Sequence, residues 1–232
     1  HHNAFDDHQA QRLLRALEYA QNTPAVRVVV LGSTGKSFSA GGDLNYMKRM
    51  ATHSYDENLA DAGQLAQLMK TLNYLSKPTI ARVQGTTLGG GVGLVSCCDI
   101  AIGTEHTRFA LSEAKVGLAP ATIAPYVVRT IGEKAARRFF CSAEFIDANK
   151  ALTLGLLSEV VPSAELDTSI KALCNQLLNN GPLAVQKAKQ IVFDVAPGEI
   201  NDQIIKHSVD FIADMRDSDE AREGLSAFLE KR

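Results

Sequence analysis

An α/β fold with a helical C-terminal region is predicted by three observations. Short β-branched or apolar runs alternate with amphipathic stretches over the first two-thirds of the chain. Two glycine-rich segments follow the first two of those runs. Beyond about residue 121 the strand signal fades and helical periodicity takes over.

In chain order, Leu13, Leu14, Leu17 and Ala20 recur at helical spacing behind the acidic start Asp6-Asp7, which predicts a helix over 6–21. The run VRVVVL ending at Leu31 and closed by Gly32 reads as a buried strand. Leu59, Leu65, Leu68, Met69, Leu72 and Leu75 mark a second long helix. PTIARV (78–83) and DIAIG (99–103) read as two more strands, and Leu157 to Val161 as a later one. Helices are expected near 133–141, 147–155, 164–179, 182–193, 199–215 and 218–229. The expected division is an α/β region over 1–132 and a helical region over 133–232.

Composition narrows the function. The 232 residues are 45% hydrophobic and 22% charged, the balance of an ordinary globular protein. Basic and acidic residues number 24 and 26, so the basic excess that drives phosphate binding is missing and a nucleic-acid partner is not expected. No apolar run approaches the roughly 20 residues of a membrane helix, so no membrane partner is expected either. Four cysteines, two of them adjacent (Cys97 and Cys98), do not make a disulfide framework. Cys141 and Cys174 read as small buried hydrophobes. A reducing compartment is expected: the cytoplasm, or the mitochondrial matrix for a eukaryotic source. The opening His1-His2 reads as a tag remnant or a trimmed start.

The two glycine-rich segments are the first candidates for chemistry. One is Lys36 to Leu44 (KSFSAGGDL) and the other Gly85 to Gly93 (GTTLGGGVG), each opening a helix. Backbone N–H groups in such turns approach a ligand closely, and the helix start adds its positive dipole end. Two of them aimed at one point would make an oxyanion hole. The plainer alternative is that the glycines only permit tight strand-to-helix turns.

Other glycine motifs fail letter by letter. Gly35-Lys36-Ser37 lacks the first glycine of a phosphate-binding loop, where Val30 stands, and Leu94 replaces the last glycine of a dinucleotide fingerprint. No nucleophile elbow occurs. The six histidines are scattered, so no metal site is expected.

One carboxylate stands out. Glu113 lies between an apolar stretch and the apolar segment Val116 to Pro120. A desolvated glutamate takes and returns a proton near neutrality. On residues alone, a surface glutamate paired with Lys115 is the commoner arrangement.

Taken together, Ser37 to Leu44, Leu88 to Leu94 with Cys98-Asp99-Ile100, and Leu111-Ser112-Glu113 resemble the crotonase superfamily of enoyl-CoA hydratases and isomerases. The resemblance runs from Asn3-Ala4-Phe5 to Leu229, while the family's first strands, which precede Asn-Ala, are not in this chain. Leu111 to Phe140 is similar to methylglutaconyl-CoA and carboxygeranoyl-CoA hydratases. The resemblance implies a crotonase-like spiral of ββα units with a helical C-terminal trimerisation region, assembled as a homotrimer or a dimer of trimers. It implies an acyl-CoA substrate, with coenzyme A part of that substrate and no separate cofactor. The Gly42 and Gly90 N–H groups would form the oxyanion hole, Glu113 would be the catalytic acid/base, and Ala40, Gly42, Asp43, Leu44 and Gly90 would line the CoA path. Lys36, Lys48 and Arg49 would either meet the CoA phosphates or form an exposed solvated face, and Asn45 stands where many relatives carry a lysine.

One position departs from the pattern. Two-glutamate hydratases carry a second glutamate three residues after the oxyanion-hole glycine, where this chain has Gly93. Hydration divides naturally between two proton-handling groups, whereas moving a double bond from 3,4 to 2,3 needs one base. Hydratase is ranked first on the surrounding residues and isomerase is the alternative. An RNA-binding role is disfavoured, because 57–77 carries only Lys70 and Lys77 as cations.

Overall fold

The computed structural model describes residues 3–232, so His1 and His2 lie outside the described residues. Strand β1 (Val29–Leu31), β2 (Thr79–Val83), β4 (Ile100–Thr104) and β7 (Glu159–Val161) form one sheet in the order β1-β2-β4-β7, parallel throughout. Parallel sheets are covered on both faces, and here the two faces have separate cores. On one side Leu68, Met69 and Leu72 of α3 (Tyr55–Asn73) join Leu17 of α1 (Asp7–Asn22) and Val92 and Val95 of α4 (Gly90–Cys97). On the other, Ile80 and Ile102 pack on Leu166 and Ile170 of α8 (Leu166–Leu178).

The helix starts follow local chemistry. Asp6 caps α1 through the Gln9 N–H, and Ser54 and Glu57 form a reciprocal capping box at the start of α3. Asp43 caps the short α2 (Leu44–Met50) through the Asn45 and Tyr46 N–H groups.

A second sheet lay hidden in what the sequence reads as loops. Strand β3 (Thr86–Leu88) runs inside the second glycine-rich segment and β5 (Arg108–Ala110) just before Glu113; they pair in parallel, and β6 (Ile146–Asp147) joins β5 antiparallel. Strands of two or three residues are too short to show alternation. Helix α5 (Ala124–Ile131) likewise falls where the sequence predicts no helix. Strands β6 and β7 follow residue 132 and complete both sheets, so the purely helical part begins after Val161.

Past α6 (Glu133–Ser142), α7 (Ala148–Thr153) and α8 come α9 (Pro182–Val195), α10 (Asp202–Asp217) and α11 (Asp219–Leu229). Glu220 of α11 caps the start of α9, accepting from the Leu183 N–H at 2.9 Å and the Ala184 N–H at 2.7 Å. Lys189 of α9 meets the Asp99 carboxylate at 2.8 Å and so ties this region to the turn between α4 and β4. None of the residues of α9, α10 or α11 is buried. All four cysteines are free; Cys97 is buried, but Cys141 is exposed, contrary to expectation, because it lies on the outer face of α6.

Candidate active site

Three chain segments run abreast and bring the predicted residues together. Ser39 bridges Thr87 in parallel, and Thr87 pairs with Phe109 in parallel. Three residues further along each segment stand Gly42, Gly90 and Ser112, with Glu113 next. The bond from the Leu88 N–H to the Ser39 carbonyl (3.0 Å) and from the Gly89 N–H to the Ala110 carbonyl (3.0 Å) fix this register.

The backbone amides around the two glycines are mostly spoken for. Gly41 N–H donates to Ser39 Oγ at 3.3 Å, Asp43 N–H to the Phe5 carbonyl at 2.9 Å, Gly89 N–H to Ala110, and Val92 N–H to the Gly89 carbonyl at 2.8 Å. Among the described residues, the Gly42 and Gly90 N–H groups have no such acceptor. Gly90 is the first residue of α4, so its amide also carries the positive end of that helix.

Gly89, at φ +52, is required for two reasons. Its backbone conformation is one that side chains disfavour, and a Cβ there would sit 3.1 Å from Glu113 Oε1. Glu113 therefore rests against the first turn of α4. It is carried on a 3₁₀ turn, Ser112–Val116, and is half-buried. Its Oε2 is enclosed without a hydrogen-bond partner. Burial pushes its carboxyl above the usual glutamate range, partly offset by a backbone hydrogen bond. Lys115 makes no ion pair with it. An enclosed carboxylate with an unpaired oxygen, resting against the first turn of α4, is able to exchange protons with a ligand bound there.

The next turn of α4 is apolar. A Cβ on Gly93 would meet Ile123 Cγ2 at 2.3 Å and Met69 Cε at 3.3 Å. The buried Ile123 fills the space that a side chain at 93 would need, so a second carboxylate has no room there. The sequence flagged Gly93 but not Ile123, whose partner thirty positions away is visible only in three dimensions.

Other expected site residues are placed as follows. Ala40 is half-buried, Gly42 and Leu44 are exposed, and the Asp43 carboxylate is committed to capping α2. Lys36 and Lys48 are exposed, while Arg49 pairs with Asp7 at 2.9 Å. Lys77 is buried and donates to the Ala20 and Thr23 carbonyls, which leaves Lys70 as the exposed cation of 57–77. Among the described residues no cluster of three or more His, Cys, Asp or Glu side chains has metal-binding geometry, and no helix is long and apolar enough to cross a membrane.

Likeness to known proteins extends over the whole chain. The family model described as enoyl-CoA hydratase/isomerase matches residues 1–232. A 2,3-dehydroadipyl-CoA hydratase of Escherichia coli is 31% identical over 99% of this chain and 88% of its own length. A crotonyl-CoA hydratase of Syntrophomonas wolfei is 30% identical over 99% of this chain and 88% of its own. Among solved structures, an enoyl-CoA hydratase from Shewanella pealeana is 42% identical, with a TM-score of 0.96 over 100% of this chain and 86% of that one.

Proposed function

This chain belongs to the enoyl-CoA hydratase/isomerase family, and we propose that its reaction is the hydration of a 2-enoyl-CoA thioester related to 3-methylglutaconyl-CoA. The observation that carries this reading is the Glu113 carboxylate, enclosed with one oxygen unpaired beside the first turn of α4. The hydratase names of the relatives support it.

In this mechanism the thioester oxygen accepts from the Gly42 and Gly90 N–H groups. Ionised Glu113 takes a proton from a water as its oxygen bonds to C3. The C2=C3 electron pair moves toward the thioester oxygen, and the resulting enolate is held by the two amides. Glu113 then returns its proton to C2, so water is added and the carboxylate is restored. Each amide donor contributes about 3 kcal/mol to the enolate-like state. With no second protein carboxylate at 93, a carboxylate on the substrate acyl chain would orient the water, which is why a glutaconyl-type acyl group is favoured.

The packing of Ile123 on Gly93 favours one second reading, a Δ3,Δ2-enoyl-CoA isomerase in which Glu113 alone carries a proton between C2 and C4. Incubation with a 3-enoyl-CoA separates the two. Isomerisation of that substrate with no hydration of any 2-enoyl-CoA would overturn the hydratase reading.

Assembly as a homotrimer or dimer of trimers is part of the same proposal. It is supported by the apolar side chains that α9 to α11 leave exposed, among them Val192, Ile205, Val209, Ile212 and Phe228. The molar mass in solution by light scattering tests it: a monomer would refute it.

A further inference from the structure

Helix α2 begins two residues after Gly42 and buries none of its side chains. Packing into a core therefore does not hold it in place. The Tyr46 hydroxyl donates to the Asp61 carboxylate of α3. Burial and that carboxylate push the Tyr46 hydroxyl above its ordinary value. Arg49 also reaches Asp7 of α1 at 2.9 Å and lies over the Tyr46 ring at 5.6 Å. That ion pair is half-exposed, and exposed pairs hold little. The Tyr46–Asp61 bond is partly buried and charge-assisted, which makes it the stronger tether.

The inner side of α2 bears on Gly42. A Cβ on Gly42 would meet Met47 Cγ at 3.3 Å and Sδ at 3.4 Å, so the Met47 side chain lies directly against that glycine. The peptide around Gly42 is thus fixed at two ends. Upstream, the Phe5 N–H donates to the Gly41 carbonyl at 2.7 Å; on the downstream side the Asp43 N–H donates to the Phe5 carbonyl. Also downstream, Asp43 caps α2, and the Tyr46 hydroxyl ties α2 to Asp61 of α3.

We infer that Tyr46 is a positioning residue for the reaction: through Asp61 it anchors α2 and so fixes the direction of the Gly42 N–H. This rests on the proposed role of that N–H in holding the thioester oxygen. A donor misplaced by about 1 Å costs up to about a hundredfold in rate, while the CoA ester keeps most of its other contacts.

The test uses Tyr46→Phe, Asp61→Asn and the double variant in the full chain. Steady-state kinetics are measured with whichever CoA thioester the wild type turns over, and amide hydrogen exchange is followed over residues 41–50. We expect kcat to fall at least about tenfold with KM moving less than about threefold. The double variant should lose no more than either single, since both remove one contact. Exchange over 41–50 should quicken while that of 65–73 in α3 stays as it was. A kcat within about twofold of wild type in both single variants would overturn the inference, as would unchanged exchange over 41–50. If the wild type turns over no CoA thioester, the proposed function fails by itself. The exchange measurement then judges the tether alone, faster exchange supporting it and unchanged exchange overturning it.

Discussion

Ile123 occupies the space that a side chain on residue 93 would need, its Cγ2 lying 2.3 Å from where a Cβ on Gly93 would stand. Gly93 is one helical turn beyond Gly89, which yields its own side-chain space to Glu113. One face of α4 is therefore packed first by a carboxylate and then by an isoleucine. On this face Glu113 is the carboxylate and Ile123 makes the apolar wall beside it.

Gly93→Ala is expected to destabilise the fold by about 1–3 kcal/mol, the usual cost of overpacking a core. Adding Ile123→Ala to Gly93→Ala should cost less than the sum of the two single changes, because the new methyl enters space that the isoleucine leaves. Urea unfolding of the four proteins measures this. Strict additivity would show that the two positions do not share the space.

Glu113→Gln should abolish nearly all turnover and leave CoA-ester binding largely intact. It should also change stability with a definite sign. Burial raises the folded-state pKa of Glu113 above its unfolded value, so the fold favours the protonated carboxyl. That stabilisation is fully present below the ordinary glutamate pKa and is lost as pH rises through the folded value. At neutral pH the wild type holds a poorly solvated carboxylate, and Glu113→Gln should melt higher; by pH 4 the difference should shrink. Thermal melts at the two pH values check it. A lower melting temperature for Glu113→Gln at neutral pH would count against an enclosed, unpaired carboxylate.

Gly90→Ala separates catalysis from folding. No atom lies within 4 Å of a Cβ built on Gly90, and its φ is not in the left-handed region. Alanine is also the better helix former by about 1 kcal/mol. The variant should fold at least as stably as wild type and lose turnover, because its methyl projects into the space where a thioester oxygen would approach the free amide. Full activity would move the oxyanion site elsewhere.

Asp99→Ala should cost about 3 kcal/mol. The carboxylate accepts from the Thr79 N–H at 2.8 Å, the Thr79 hydroxyl at 2.9 Å and Lys189 at 2.8 Å. Its loss strands a lysine that is 11% exposed, and urea unfolding reads the cost. Because the bond joins α9 to the turn before β4, a loss of the proposed C-terminal assembly should accompany it in light scattering.

The main sheet and most helices are legible in the sequence because their signals are local. VVVL, TIARV and DIAIG are apolar runs between turn residues, and α1, α3 and α8 carry long periodic stripes. Glu113, Gly42 and Gly90 are singled out by their motifs, yet what aligns their three segments is not local. It lies in the pairing of Ser39 with Thr87 and of Thr87 with Phe109, through strands only two or three residues long. The same limit hides Ile123 and the Tyr46–Asp61 contact, each made between segments whose own patterns say nothing of the partner.

The most direct test of the central claim is the mass of the products formed from a 2-enoyl-CoA, a 3-enoyl-CoA and 3-methylglutaconyl-CoA. The account predicts that 3-methylglutaconyl-CoA gains one water and that Glu113→Gln abolishes the gain. Isomerisation of the 3-enoyl-CoA with no water added to any substrate would contradict it.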